Sequence, residues 1–389
     1  MKRIYKISII SGIALILIVG IYFVSRSFLT PKPVPSPEVS GTPLPTAPGN
    51  NGSDTTTAPG TDGKTLALKK LSEEEVFDFG VVQASGEIFY LTPTGKVLSA
   101  KDGPDLEISG QNVNALNHIE LSPRDQKFLV SFGDPKRPQW GIFDLIDKIW
   151  RPLPIEITNA AWGVDNDKLI ASIKKTNEYN LSEVDLTKSP PTYKIIIRDF
   201  RMKDVELSYS GNQKLIIKER PSASYEGRAW QLDLKTGSFN LVVPPERGLI
   251  IGWARDGSTA FKFSALSFYT LGLNLASAIK TDFVTLPEKC DAVLEVGFCF
   301  VPQNLTLRNV LPDDYFSKEF FSIDALIQFD VISGLSQEIL RSGEGNVVAL
   351  DAKNPKVFRN KIYFINRYDN NLYELDGLPE LKVNKDLPL

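Results

Sequence analysis

The stretch GIFDLIDK, Gly141 to Lys148, decides the fold, because its plan returns along the chain at a steady interval. It comes back as SEVDLTKS around Asp185, WQLDLKTG around Asp233, LGLNLASA at Asn274, IQFDVISG at Asp330 and LYELDGLP at Asp376. A weaker copy, IFYLTPTGK, surrounds Thr92. In most copies an apolar run ends in Asp or Asn and a turn follows. Between Asp144 and Asp376 they recur about every 46 residues, a propeller-type period. A second pattern runs half a repeat out of phase, with a turn-forming cluster just before an apolar run. Its copies are LSPRDQKFLVSF from Leu121, WGVDNDKLIASI from Trp162, LSYSGNQKLIIK from Leu207, WARDGSTAFKF from Trp253 and LDAKNPKVF from Leu350. Asp, Asn, Gly, Ser and Pro supply turn conformations and the flanking apolar residues form strands, so each repeat carries two hairpins. The recurring Asp reads as a turn cap that accepts backbone N–H groups. Equivalent positions on the rim of every blade do not converge on one pocket, which argues against a catalytic role for it.

Two hairpins per repeat make a four-stranded antiparallel blade, and the fold class is all-β: a β-propeller. The copies over 76–389 predict seven blades, with six open if the N-terminal strands only complete the last one. Radial closure protects the edges of so many strands. Helix is nearly absent, with Ser72 to Glu75 the one capping-box-like start.

Ahead of the repeats, Ile7 to Val24 is an uncharged apolar run of 18 residues, preceded by Lys2, Arg3 and Lys6. That length and flank predict a transmembrane helix over 7–24, with residues 1–6 in the cytoplasm and the rest extracytoplasmic, in the periplasm or at the cell surface. A cleaved signal peptide is the alternative, for which only Ser25-Arg26-Ser27 offers a site. Residues 25–63 read as linker. From Pro31 to Gly63 there are 8 Pro, 5 Gly and 6 Thr and no aromatic residue, a composition that forms no core and acts as a tether. The propeller is expected over 64–389, and the whole protein reads as single-pass.

With 44 basic and 47 acidic residues the chain lacks the basic footprint of a nucleic-acid binder. One histidine, two cysteines and two methionines leave little for a histidine-dependent triad or a zinc site. No phosphate-cradling glycine loop or dinucleotide fingerprint follows a strand, so neither catalytic residue, cofactor nor metal is expected and the chain does not read as an enzyme. His118, in LNHIEL, reads as a strand histidine. ARDGSTAF near Asp256 departs from the Asp-box of sialidases because Gly257 follows the Asp directly. Asn180-Leu-Ser and Asn304-Leu-Thr are formal glycosylation sequons.

The copies SPRDQKF, WARDG and QLDLKTG resemble bacterial propeller repeats related to the translocation protein B of the Tol system and to WD-repeat domains. LPEKCDAVLEVGFCFVP, Leu286 to Pro302, further resembles cysteine-bearing blades of membrane-anchored bacterial proteins of unassigned role. The resemblance implies a binding platform and supplies no catalytic residue.

Cys290 and Cys299 fall at the expected ends of two adjacent strands, where antiparallel pairing brings Cα atoms close enough for a disulfide. Export favours oxidation, and two buried thiols are the alternative. Insertions fall between the two hairpins of a blade, which directs them all to one face: GDPKRPQ from Gly133, KKTNEYN from Lys174, ERPSASYEGR from Glu219, NRYDNN from Asn366, and the longest, Pro302 to Phe321. Tyr and Arg are frequent binding anchors, which singles out Arg137, Tyr179, Tyr225, Arg228, Arg308, Tyr315 and Tyr368, together with the acidic pair Asp313 and Asp314. That pair lacks the ordered oxygen donors of a calcium loop. The expected function is a membrane-tethered platform that binds an envelope protein, a peptide or a glycan. Two other readings stay open: a carboxylate-dependent glycosidase or lyase on the same scaffold, and a structural subunit of an envelope assembly.

Overall fold

The computed structural model describes residues 55–379 except 60–64, 102, 177, 203, 211–212, 255–256, 258, 273–274, 276 and 344–346. The expected helix at 7–24 and tail at 1–6, most of the linker 25–63, and the repeat residue Asn274 lie outside the described residues. Among the described residues no helix is long and apolar enough to cross a membrane.

A hairpin opens the fold: β1 (Thr55–Pro59) and β2 (Thr65–Lys70). Six meanders follow. The first is β3 (Asp78–Val81), β4 (Ile88–Leu91), β5 (Val97–Ala100) and β6 (Leu106–Ser109), and the second β7 (Leu116–Leu121), β8 (Lys127–Phe132), β9 (Gln139–Asp144) and β10 (Ile149–Pro152). The third is β11 (Ile157–Trp162), β12 (Lys168–Lys175), β13 (Glu178–Asp185) and β14 (Thr192–Ile197), and the fourth β15 (Val205–Tyr209), β16 (Lys214–Glu219), β17 (Glu226–Asp233) and β18 (Phe239–Arg247). The fifth is β19 (Ile250–Trp253), β20 (Ala260–Ser264), β21 (Ser267–Leu271) and β22 (Ala278–Lys280), and the sixth β23 (Cys290–Val293), β24 (Val296–Pro302), β25 (Asp324–Asp330) and β26 (Ser336–Arg341). The last three strands, β27 (Ala352–Phe358), β28 (Lys361–Asn366) and β29 (Asn371–Asp376), join β2 and β1 in one sheet ordered β1-β2-β29-β28-β27.

The result is a seven-bladed propeller of antiparallel sheets. Its last blade is closed by the N-terminal strand β2, with β1 added outside it. β1 lies within the stretch that composition assigns to the linker. The Thr and Pro there form an edge strand, where a missing N–H costs no ladder bond.

The blades are held by what lies between them. Seven apolar clusters form among the described residues, each filled from two neighbouring blades. In β16, Leu215 and Ile217 face the third blade while Ile216 faces the fifth. A strand buried on both faces reads as a continuous apolar run, which is how LII in QKLIIK and FLV in QKFLV arise.

The repeated aspartates cap their turns. Asp144 Oδ1 accepts the Ile146 and Asp147 N–H groups at 3.0 and 3.1 Å, and Asp233 Oδ1 those of Lys235 and Thr236 at 3.0 and 2.7 Å. Asp330 does the same for Ile332 and Ser333 at 3.0 and 2.6 Å, and Asp185 accepts the Thr187 N–H at 2.9 Å. Two of the quoted copies are placed differently. LDAKNPKVF forms no turn: it lies in β27, where the register shifts between Lys353 and Lys356 and Asn354 adopts φ 50°. The bulge lets the Asn354 side chain reach Asp78 Oδ1 at 2.9 Å. The copy around Thr92 is the connection between β4 and β5, on the opposite face from the capped turns.

Candidate binding face and central channel

In each blade the first-to-second and third-to-fourth strand turns share one face, here the turn face. The second-to-third connections and the links between blades share the other, the loop face. All five insertions singled out above are second-to-third connections, so they emerge together on the loop face.

The longest insertion folds into a body of its own around a four-residue helix, α1 (Asp313–Phe316). Its base is clamped by Asn304, which donates to Phe321 O at 3.0 Å and accepts from the Ile323 N–H at 2.9 Å. Leu311, Tyr315 and Phe320 turn inward onto the core between the fifth and sixth blades. Beneath them lies a sealed ion cluster. The Lys289 ammonium contacts Asp324 Oδ2 at 2.8 Å, Asp351 Oδ1 at 2.6 Å and Ala352 O at 2.9 Å. Arg367 meets the other oxygen of Asp351 at 2.8 Å, donates to Tyr315 O at 2.9 Å and stacks on the Tyr315 ring at 3.8 Å. The chain's two cysteines are joined beside Lys289 as a disulfide, Cys290–Cys299, across β23 and β24.

Among the nine candidate side chains, Arg137, Tyr225, Arg228 and Arg308 are exposed on this face. Tyr179 is half-buried, with Lys174 and Arg201 over its ring at 5.5 and 5.8 Å. Asp313 ties the insertion to the fourth blade's loop, accepting from Ser222 Oγ at 3.2 Å and the Ala223 N–H at 2.9 Å. Asp314 accepts the Val310 N–H at 2.7 Å. Tyr315 is buried where an exposed loop anchor is expected, because with Leu311 and Phe320 it packs onto the apolar core between the fifth and sixth blades. Tyr368 stacks on Phe321 and donates to Ser322 O at 3.1 Å. The structure thus brings together the loop of Tyr225, the insertion and Tyr368, while Arg137 and Tyr179 sit on the second and third blades. Among the described residues no group of three or more His, Cys, Asp or Glu side chains is placed to hold a metal ion.

A second group of side chains comes from the innermost strands. His118 and Glu120 lie on β7, Asp78 on β3, Glu206 on β15 and Lys353 on β27, with Glu288 just before β23 and Lys218 on β16. They act on one another through space. Burial raises the Glu120 carboxyl to about 8, helped by the negative charge of Glu206 and opposed by the Trp162 N–H that it accepts at 3.3 Å. Burial works against Glu206 as well, yet the Lys218 ammonium, 3.3 Å away, and His118 hold it below the usual carboxylate range. Burial pushes His118 down and Glu288 up. Two carboxyls that act on each other, Glu120 on β7 and Glu206 on β15, are therefore moved in opposite directions. Sequence reasoning missed this group and the Lys289 cluster, since inner-strand polar residues follow no motif.

No family model matches the chain, and no curated protein does. Solved structures share the fold. An oligogalacturonate lyase from Vibrio parahaemolyticus aligns at 9% identity and TM-score 0.54, covering 84% of this chain and 97% of its own. An oligogalacturonate lyase in complex with manganese aligns at 12% identity and TM-score 0.55, covering 85% and 97%. The Swd1 β-propeller domain of Myceliophteria thermophila aligns at 9% identity and TM-score 0.50, covering 80% and 99%. TolB from Acinetobacter baumannii aligns at 11% identity over 66% of this chain and 65% of its own, with TM-score 0.38, too low to argue from.

Proposed function

We propose that this chain is a membrane-tethered extracytoplasmic propeller whose loop face binds an envelope protein, peptide or polymer. The observation that supports it is the bracing of that face. The insertion of the sixth blade is fixed from below by the Lys289 cluster and from the side by the bond of Asp313 to the loop at 222–223, leaving Tyr225 and Arg228 presented beside a fixed support. Preorganised loops lose little entropy when they bind. The test is a photoreactive residue at Tyr225, with Leu335 on the turn face as control, in intact cells. A discrete adduct from position 225 and none from 335 is expected; the reverse pattern sinks the reading.

A catalytic reading is favoured by one observation, the opposite shifts of the interacting carboxyls Glu120, raised, and Glu206, lowered, the pattern of an acid and a base held apart by their surroundings. The likeness to oligogalacturonate lyases names the substrate to try first, an acidic sugar polymer. Turnover of oligogalacturonate that disappears in Glu120→Gln would establish it, and absence of turnover in the wild type would remove it.

A further inference from the structure

The direction of β1 shows where the chain enters the propeller. Thr55 stands opposite Lys69 and Pro59 opposite Thr65, and Lys69 in turn stands opposite Glu374 in β29. β29 begins at Asn371, directly after the loop-face connection at 367–370. The chain therefore arrives at the loop face and runs through β1 toward the turn face. The same connection supplies Arg367 and Tyr368, which hold the root of the sixth blade's insertion through Tyr315 O and Ser322 O. Entry point and insertion thus share one rim of one face.

What the insertion shows to solvent is unusual for an exposed loop. Leu307 is 100% exposed, Val310 50% and Phe316 42%. Arg308 and Lys318 are exposed beside them, and so is Glu319 near the trailing end. Asp313 and Asp314 each accept a backbone N–H group, of Ala223 and Val310. Apolar tips with flanking cations match an interfacial layer, where aliphatic and aromatic groups enter the headgroup boundary and basic groups stay with the phosphates.

We propose that this insertion seats the propeller on the outer surface of the bilayer from which the chain is tethered. The proposal rests on the tethered reading above and specifies its geometry: blades six and seven meet the lipid, and the loops of blades two to four overhang the membrane, open to a partner. The turn face also exposes apolar residues, Ile332 at 57% and Leu335 at 76%, but the chain does not enter there.

The test uses the full chain in nanodiscs of phosphatidylcholine and phosphatidylglycerol, with an environment-sensitive fluorophore attached at Leu307→Cys or, as control, at Leu335→Cys. The native cysteines are paired and buried, so each variant offers one reactive thiol. Lipids carrying a spin label in the acyl chain are expected to quench the label at 307 several-fold more than the label at 335. Equal quenching at both positions, or none at 307, overturns the proposal. A label at 307 that stays unquenched in discs while the same position cross-links to a protein in cells overturns it in favour of a protein partner. Failure of the chain to co-elute with the discs overturns the tether itself, and the docking with it.

Discussion

Lys289 Nζ lies 2.6 Å from Asp351 Oδ1, and neither side chain has any exposure to solvent. The ammonium also holds Asp324, and Arg367 holds the second oxygen of Asp351, so two cations and two carboxylates offset each other inside the sixth and seventh blades. Replacing one member strands a buried charge. Lys289→Met is expected to destabilise the propeller by about 3–5 kcal/mol, read as a lower midpoint in urea unfolding. A change under about 1 kcal/mol would mean that water reaches the cluster.

Gly297 is needed for space. A Cβ there would meet the Phe329 ring at 2.3 Å. Gly297→Ala is expected to cost about 1–3 kcal/mol through overpacking. Gly297→Ala combined with Phe329→Leu should lose less than the sum of the two single changes, in a double-mutant cycle by denaturation.

The turn caps make a smaller contribution with a defined pH dependence. Asp233→Ala removes the acceptor of two backbone N–H groups and is expected to lower the melting temperature slightly, with Asp233→Asn much milder. Hydrogen bonding from Thr236 holds the Asp233 carboxyl below its ordinary value. A depressed folded-state value stabilises above the unfolded one and fades as pH falls through it. The gap between wild type and Asp233→Ala, measured by thermal unfolding, should therefore be full at pH 7 and narrow in acid.

Glu120 has the opposite sign. Its carboxyl is raised to about 8 in the fold, so the folded chain keeps a proton that the unfolded chain has released. Stability is lost as pH climbs from the ordinary glutamate range to about 8 and levels off above it. Glu120→Gln stays neutral throughout, so its melting temperature should match wild type near pH 5 and exceed it by a growing margin up to pH 8–9.

Closure gives a fourth kind of test. β2 buries Leu66 and Leu68 against the sixth and seventh blades, whereas β1 pairs only with β2. Removing residues through Pro59 should leave a cooperative unfolding transition by circular dichroism. Removing residues through Lys70 exposes the edge of β29 and should broaden or abolish it.

The capped turns were legible because a fixed chemical task, accepting N–H groups at a tight turn, keeps selecting Asp at the same place, as at Asp144, Asp233 and Asp330. The blade architecture and the face bearing the insertions followed from that period. The outermost strand, β1, was hidden, since TTTAP at 55–59 has the composition of a linker and becomes a strand only because β2 offers an edge. Lys289, Asp324, Asp351 and Arg367 lie far apart in sequence and carry no pattern, so their meeting depends wholly on the blades' return. Tyr315 shows the limit of residue type as a guide: the side chain chosen as an exposed anchor is buried in the core between the fifth and sixth blades.

Because the chain enters at the loop face and runs along β1, a pull on the residues ahead of Thr55, directed away from that face, acts parallel to the strand. All five pairs from Thr55–Lys69 to Pro59–Thr65 are then loaded together in shear, where a peeling force would break them one after another. The outer strand, marginal as packing, is placed to serve as a mechanical clamp that takes up tension before it reaches the strand that closes the ring.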